Sequence, residues 1–294
     1  MTGNNRYEYA KSLAGVVVVY NPDDSVEGNI RSYLPFLDRL YIIDNSKPDN
    51  RSLPGDLLSD VKVHYVFKDM NTGVSAALNE AAGLAIGEGF SWLMTMDQDS
   101  SFENGQLEAY AEAFKSFSSI PGIAVAGVQH DAGHINLQEV EKWNHTNAVI
   151  TSGSLVRLST WEEIGGFDAK LFIDEVDHEY CYRSIVHGYD VIILSSVAIK
   201  HNLGKTRKAG YLSVMSSRGR ILHSPKRVYF MVRNYLYVKH KYGKLFREEF
   251  RRRDRQVLVS LKNNLFFNGH FLETLSNIFQ GYIDYKRNNF TRTI

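Results

Sequence analysis

The sequence predicts an α/β fold, with a Rossmann-like half, a mixed-sheet half and a helical appendage at the C-terminus. Three observations carry this. Apolar runs of strand length recur through the first half, each followed by a stretch with helical spacing. That regular alternation is lost in the second half, although strand-like runs continue. From Pro225 onward the pattern turns helical and basic.

In chain order, GVVVVY (15–20), RLYIID (39–44), VKVHYV (61–66) and SWLMTM (91–96) read as four strands rich in β-branched or aromatic residues. Val26, Ile30, Tyr33 and Leu37 fall on one helical stripe after the first, with Pro35 placed to kink or shorten that helix. Leu107, Tyr110, Ala111, Phe114 and Phe117 form a second stripe. Then come IAVAGV (123–128), AVITSGSLVRL (148–158), a helix from about Asp174 to His187 and a strand YDVIILS (189–195), an order that suits a mixed sheet. The expected division is a domain over 1–224 and a basic helical segment over 225–294.

At 294 residues, 44% hydrophobic and 12% aromatic, the chain can bury a sizeable core. The 34 basic and 33 acidic side chains nearly cancel, so composition points to no nucleic-acid partner. The single cysteine, Cys181, excludes an intrachain disulfide and a zinc-thiolate cluster and suits a reducing compartment. MTGNNRYEYAKSLAGVVVVY lacks the pattern of a signal peptide and no run reaches the length of a membrane span, so the expected place is the cytosol. The charge is uneven: residues 225–294 hold 15 basic against 5 acidic side chains, which leaves residues 1–224 at a net of −9. Arg251, Arg252 and Arg253 beside the apolar stretch from Leu258 to Phe267 suit helices lying on an anionic membrane, or a homodimer contact, with membrane attachment slightly favoured.

The chemistry starts at the fourth strand, which runs straight into Asp97, Gln98 and Asp99. Residues two apart in an extended chain point to one side, so both carboxylates can face a ligand past the strand's C-terminal end, where open α/β sheets bind ligands. Two hard oxygen donors there suit Mg2+ or Mn2+ on a diphosphate; an acidic loop capping the next helix is the plainer alternative. Asn71, Thr72 and Gly73 form a turn that opens a helix and can bring backbone close to a nucleotide. No GxGxxG or Walker sequence is present, so dinucleotide and P-loop readings lose their support. If FIDEVDHEYCYR (172–183) is helical, Asp174, Asp177 and Cys181 share a face, and Glu179 can pair with Arg183. A carboxylate at that helix N-terminus stays ionised and can accept a proton.

VVVVYNP, YIIDNS, NTGVSAALN, MDQDS, TSGSLVRLSTWEEIGGFD, FIDEVDHEYCYR, IKHNLG and SPKRVYFMVRN, in that order over roughly residues 14–235, resemble glycosyltransferase family 2 of the GT-A fold, within it the bacterial rhamnosyltransferase-like branch. The resemblance implies a nucleotide-binding half joined to an acceptor half. It implies that Tyr20, Asn21 and Asp44 hold the donor's base and ribose, with Asp44 as base reader, and that Asn71, Gly73 and Asp97 complete the nucleotide site. Asp99 and His201 would be the metal ligands, and an imidazole tilts preference toward Mn2+ without excluding Mg2+. Asp177 resembles the general base. The commoner form of the motif has Glu where Val176 stands, which leaves Asp174 for the acceptor, beside a wall that includes Trp161. Lys205, Arg207 and Lys208 just beyond His201 can reach the diphosphate, a solvated loop being the commoner alternative; the resemblance sets Arg227, Tyr229, Arg233 and Asn234 on a helix closing the site.

The function implied is inverting transfer from a nucleoside-diphosphate sugar, dTDP-L-rhamnose first and UDP-hexoses as rivals, to a hydroxyl of a surface polysaccharide or lipid-linked glycan in cell-envelope synthesis. A sugar nucleotidyltransferase would carry a Gly-rich basic loop where this chain reads YNPDD. A non-catalytic sugar-nucleotide-binding protein has no need of Asp97, Asp99, Asp177 and His201 together.

Overall fold

The computed structural model describes residues 13–50, 52–103, 105–130, 142–201 and 221–293, with His201 described by its backbone alone. The first half is a parallel βα array: β1 (Leu13–Val19), α1 (Ser25–Tyr33), β2 (Arg39–Asp44), α2 (Gly55–Leu58), β3 (Val63–Phe67), α3 (Val74–Gly87) and β4 (Trp92–Asp97). Then follow β5 (Ser100–Ser101), α4 (Gln106–Phe117), β6 (Ile123–Gln129), β7 (Trp143–His145), β8 (Ser154–Arg157), α5 (Leu158–Ile164), α6 (Val176–Val186), β9 (Asp190–Ala198) and β10 (Lys200–His201). The helices α7 (Pro225–Tyr242), α8 (Arg247–Phe267) and α9 (Phe271–Lys286) end the chain.

Among the described residues one sheet has the order β3-β2-β1-β4-β8-β6-β9-β7, and β10 pairs with β5 in a small ribbon. The first four strands are parallel, while β8 runs antiparallel to both β4 and β6 and β7 antiparallel to β9, which makes the second half mixed. Helices cover both faces. Val17, Ile42, Trp92 and Met94 pack against α1 and α4 on one side; Val16, Tyr41 and Leu93 pack toward α3 and α6 on the other. A sheet buried on both faces needs near-continuous apolar strands, and VVVV and YII meet that need.

Three local expectations are corrected. The stripe from Val26 breaks after Tyr33 into a 3-10 turn, Leu34–Phe36, because Pro35 cannot donate the next helical bond. The run 148–158 is strand only from Ser154; before it the chain turns at Gly153, whose φ is 76°. The helix expected from Asp174 starts at Val176, because Asp174 and Glu175 take left-handed φ values of 60° and 66°. Asp174 therefore does not share a helical face with Asp177 and Cys181.

The C-terminal helices are fastened to α6 by charge. Glu179 is fully buried, and its carboxylate meets Arg183 at 2.9 Å and Lys241 of α7 at 2.7 Å and accepts the Tyr242 hydroxyl at 2.8 Å. Arg253 of α8 is buried against Glu175 and the Tyr182 hydroxyl. Glu179→Ala would strand the poorly exposed Arg183 and is expected to cost about 3 kcal/mol, at the low end for a broken buried pair because Lys241 can turn to water. Urea unfolding of wild type and variant measures this; equal midpoints would remove the role given to Glu179.

Candidate active site

The register Val19↔Asp44 and Val18↔Asp97 brings the C-terminal ends of β1, β2 and β4 to one edge of the sheet. Tyr20 and Asn21 follow β1 there. Asn21 has a φ of 47°; its N–H donates to Ser46 Oγ at 2.7 Å and its side-chain oxygen accepts from Asn50 at 2.9 Å. Asp44 ends β2 fully buried, and accepts the Ser46 N–H at 2.8 Å on one oxygen and the Tyr65 hydroxyl at 2.6 Å on the other. Asn71 Oδ1 accepts the Gly73 N–H at 3.0 Å in an Asx turn that opens α3. Gly73 has a φ of 86°, and a Cβ there would come within 2.7 Å of Phe172. Its bareness thus admits the 172–173 segment, whose Phe172 carbonyl accepts the Val74 N–H at 2.7 Å.

These pieces enclose a cavity of about 170 Å³ walled by Tyr20, Asn45, Asn71, Gly73, Asp97 and Phe172 among others. Four of the expected donor residues, Tyr20, Asn71, Gly73 and Asp97, meet on it, while Asn21 and Asp44 are not among its lining and lie next in sequence to Tyr20 and Asn45, which are. Gln98 ties the acidic turn to β1, accepting the Tyr20 N–H at 2.8 Å and donating to the Tyr20 carbonyl at 3.3 Å. Sequence reasoning missed Gln98, Asn45 and Phe172. Gln98 also lines the cavity beside Asp97, and its signal was its place inside the acidic triplet at the end of a strand.

Asp99 lies in the turn between β4 and β5, and the β5–β10 ribbon sets His201 opposite Ser100 in the ladder. The backbone of His201 is thus one residue away from Asp99; its side chain, with Lys205, Arg207 and Lys208, lies outside the described residues. Among the described residues no group of three or more His, Cys, Asp or Glu side chains could hold a metal. Asp97 and Asp99, two residues apart at the end of β4, offer the hard carboxylate oxygens that Mg2+ and Mn2+ take beside substrate phosphates and water in nucleotide enzymes. The donor set therefore fits a divalent cation.

Arg227, from the first turn of α7, reaches into this acidic region. Its guanidinium donates to Asp174 Oδ1 at 3.0 Å. Asp174 first, and Asp97 and Asp99 after it, hold its pKa above the ordinary arginine value against the pull of burial. The helix-closing stretch thus delivers a cation to the site. Asn234 supports the same loop by donating to the carbonyls of Ile173 and Asp174.

Asp177 is the second residue of α6. One carboxylate oxygen accepts the Thr151 N–H at 3.0 Å; the other accepts the His178 N–H at 2.8 Å and lies 2.9 Å from His178 Nδ1. Burial pushes this carboxyl up, but the His178 charge and the hydrogen bonds from His178 and Thr151 outweigh it and hold it at about 2. Burial likewise lowers the imidazole of His178, and the facing Asp177 raises it past its usual value. Asp177 is therefore an anion throughout the neutral range, as expected of a carboxylate at a helix N-terminus. Thr151 lines both the cavity at the strand ends and the small space beside Asp177. Neither Thr151 nor the His178 pairing was foreseen; for His178 the signal was adjacency to the expected base. Trp161 packs its ring on Gly166, where a Cβ would come within 2.8 Å, at the fringe of the core and away from the cavity lining.

Comparison with known proteins bears on this arrangement. Residues 16–181 match the family described as glycosyl transferase family 2. The chain is 25% identical over 244 residues to dTDP-rhamnosyl transferase RfbF of Shigella flexneri, covering 76% of this chain and 78% of that protein. Among solved structures, the mannosyltransferase PcManGT of Pyrobaculum calidifontis, in complex with GDP-Man and Mn2+, aligns with a TM-score of 0.56 at 14% identity, over 98% of this chain and 77% of that one. GalNAc-T7 with UDP, GalNAc and Mn2+ aligns with a TM-score of 0.53 at 13% identity, over 66% of this chain and 44% of that one. The architecture these share with the present chain is the GT-A fold.

Proposed function

Because this chain belongs to glycosyl transferase family 2, we propose that it is an inverting, metal-dependent rhamnosyltransferase that moves L-rhamnose from dTDP-L-rhamnose to a hydroxyl of a surface-polysaccharide or lipid-linked glycan acceptor. The observation that carries the reading is the meeting of the cavity at the strand ends with Asp97 on one side and, across Thr151, the ionised Asp177 on the other. The transferase domain is 1–224, and 225–294 is the helical segment that closes its site.

In this mechanism Tyr20, Asn21, Asp44, Asn71 and Gly73 bind base and ribose, and Asp97 adjoins the ribose and diphosphate. Asp99 and His201 would hold the cation, Mn2+ or Mg2+. When bound, the cation neutralises charge on the leaving diphosphate. Asp174 and Trp161 stand on the acceptor side. Asp177 takes the proton of the acceptor hydroxyl as that oxygen attacks the anomeric carbon. The bond from that carbon to the diphosphate breaks on the opposite face, the electron pair leaves with the diphosphate, and configuration inverts. Held below the usual carboxylate range by His178 and the Thr151 hydrogen bond, Asp177 is ionised and so able to accept that proton.

Arg227 has a place in the same scheme. Paired with Asp174 when no donor is bound, it can turn to the diphosphate, as a guanidinium favours phosphate oxygens. Arg227→Ala is expected to weaken dTDP binding by roughly tenfold to a hundredfold, the scale of one charge-assisted hydrogen bond. Calorimetry with dTDP and Mn2+ measures it and also tests the donor site as a whole. Unchanged affinity in the variant would remove Arg227 from the site, and absence of dTDP binding by the wild type would count against the dTDP-sugar reading.

A further inference from the structure

The C-terminal helices run up, down and up. Helix α8 returns along α7, since Asp254 lies against Tyr235 and Lys239 while Asn264 accepts the backbone N–H of His223. Helix α9 then follows α7 again, with Gly281 close against Tyr229 and Arg233 and Tyr285 beside His240. The turn between α8 and α9 therefore lies at the N-terminal end of α7, where Arg227 reaches Asp174 in the active site.

The helix ends that flank this Asn268-Gly269-His270 turn expose apolar side chains, and the one acid there, Glu273, lies 3.7 Å from His270. Phe266 is 63% and Leu272 78% exposed, and the exposed ring of Phe271 lies 5.8 Å from that of Phe266. Along the outer face of α8, spaced four and seven residues apart as one helical stripe, come Lys262, Arg255 and Arg251. All are exposed, and none forms an ion pair with another described residue. The acid of this stripe, Glu248, stands at the end far from the turn. Arg253, part of the same basic run, is instead buried against Glu175 and belongs to the core.

We propose that this face seats on an anionic membrane surface, with Phe266, Phe271 and Leu272 entering the headgroup boundary and Arg251, Arg255 and Lys262 lying over lipid phosphates. Apolar anchors beside a row of cations are the makeup of an interfacial helix pair. A second copy of the chain fits less well, because a twofold contact through this face sets the same cations against one another. The bilayer would then lie at the mouth of the active site, where the lipid-linked acceptor of the proposed reaction arrives. Seating itself needs neither donor nor metal.

The test is sedimentation of the full chain with vesicles of phosphatidylcholine alone and of phosphatidylcholine mixed with phosphatidylglycerol, at low salt and at about 0.5 M NaCl. The expected result is pelleting with the anionic vesicles at low salt and release at high salt. The variant Arg251→Ser/Arg255→Ser/Lys262→Ser should partition on the order of a hundredfold more weakly. The variant Phe266→Ser/Phe271→Ser/Leu272→Ser should also be lost to the supernatant. Both alter only exposed side chains, and the thermal unfolding midpoint checks that they fold. Wild-type protein that stays in solution with both vesicle types overturns the proposal, as does an apolar variant that pellets like wild type. A dimer in light scattering that the apolar variant dissolves, without vesicle binding, replaces the membrane by a second copy. Vesicle binding by a protein that transfers no sugar leaves this inference standing and places the failure on the catalytic reading.

Discussion

Asp177→Asn is expected to lower transfer by about a hundredfold to ten-thousandfold while donor affinity stays near that of the wild type. The amide keeps the shape of the carboxylate but cannot take the acceptor's proton. One oxygen remains to accept the Thr151 N–H, and Tyr20 and Asp97, to which the donor is assigned in this proposal, line the cavity that Thr151 shares. Turnover and dTDP affinity measured side by side decide the matter. Wild-type turnover with unchanged binding would move the base elsewhere, Asp174 being next in line. The pH dependence gives a second check. Held at about 2, the Asp177 carboxyl contributes stability above its unfolded value, and this is lost only as pH falls toward 2. No acid limb of kcat/KM near pH 4 to 5 is therefore expected from Asp177. His178 has the opposite sign: its raised pKa stabilises the fold below the ordinary histidine value, and that part fades as pH rises through the raised one.

The second large effect is expected at Asp99. Asp99→Ala should cost roughly a hundredfold to a thousandfold in turnover, the scale of several kcal/mol of charge stabilisation lost with a metal ligand. Chelation of divalent cations from the wild type should give a similar loss, restored by Mn2+ or Mg2+. Because Gln98, and not Asp99, ties the acidic turn to Tyr20, the turn should keep its place in the variant. Full activity in excess chelator would remove the metal role from this site, and full activity of Asp99→Ala alone would assign it to other ligands.

Much of this was legible in the sequence because its signals are local. Four apolar runs became the parallel strands β1 to β4, and the acidic triplet fell at the C-terminal end of β4, because strand burial and alternation are written into neighbouring residues. The pairing of Glu179 with Arg183 followed from helical spacing alone. The misses share a cause. The left-handed turn at Asp174 and Glu175 departs from an acidic run that reads as a good helix start, and what holds it is contact with Arg227 and Arg253, more than fifty residues away. The packing of Phe172 on Gly73 and the bond from Thr151 to Asp177 likewise join segments far apart in the chain. The basic run 251–253 read as one surface patch, yet it divides by helical phase into exposed Arg251 and Arg252 and buried Arg253.

A cleft that activates a nucleoside-diphosphate sugar should release nucleoside diphosphate from its own donor even without acceptor, and a donor panel measures that release. The panel is dTDP-L-rhamnose, UDP-hexoses and GDP-mannose, each with Mn2+, with Mg2+ and with chelator, assayed without acceptor for slow hydrolysis. The expected result is metal-dependent release of dTDP from dTDP-L-rhamnose above that from the other donors, reduced in Asp99→Ala. Release favouring a UDP-hexose would change the donor and keep the chemistry. No release above the uncatalysed rate from any donor, by protein that binds none of the diphosphates, would mean that this cleft activates no sugar nucleotide.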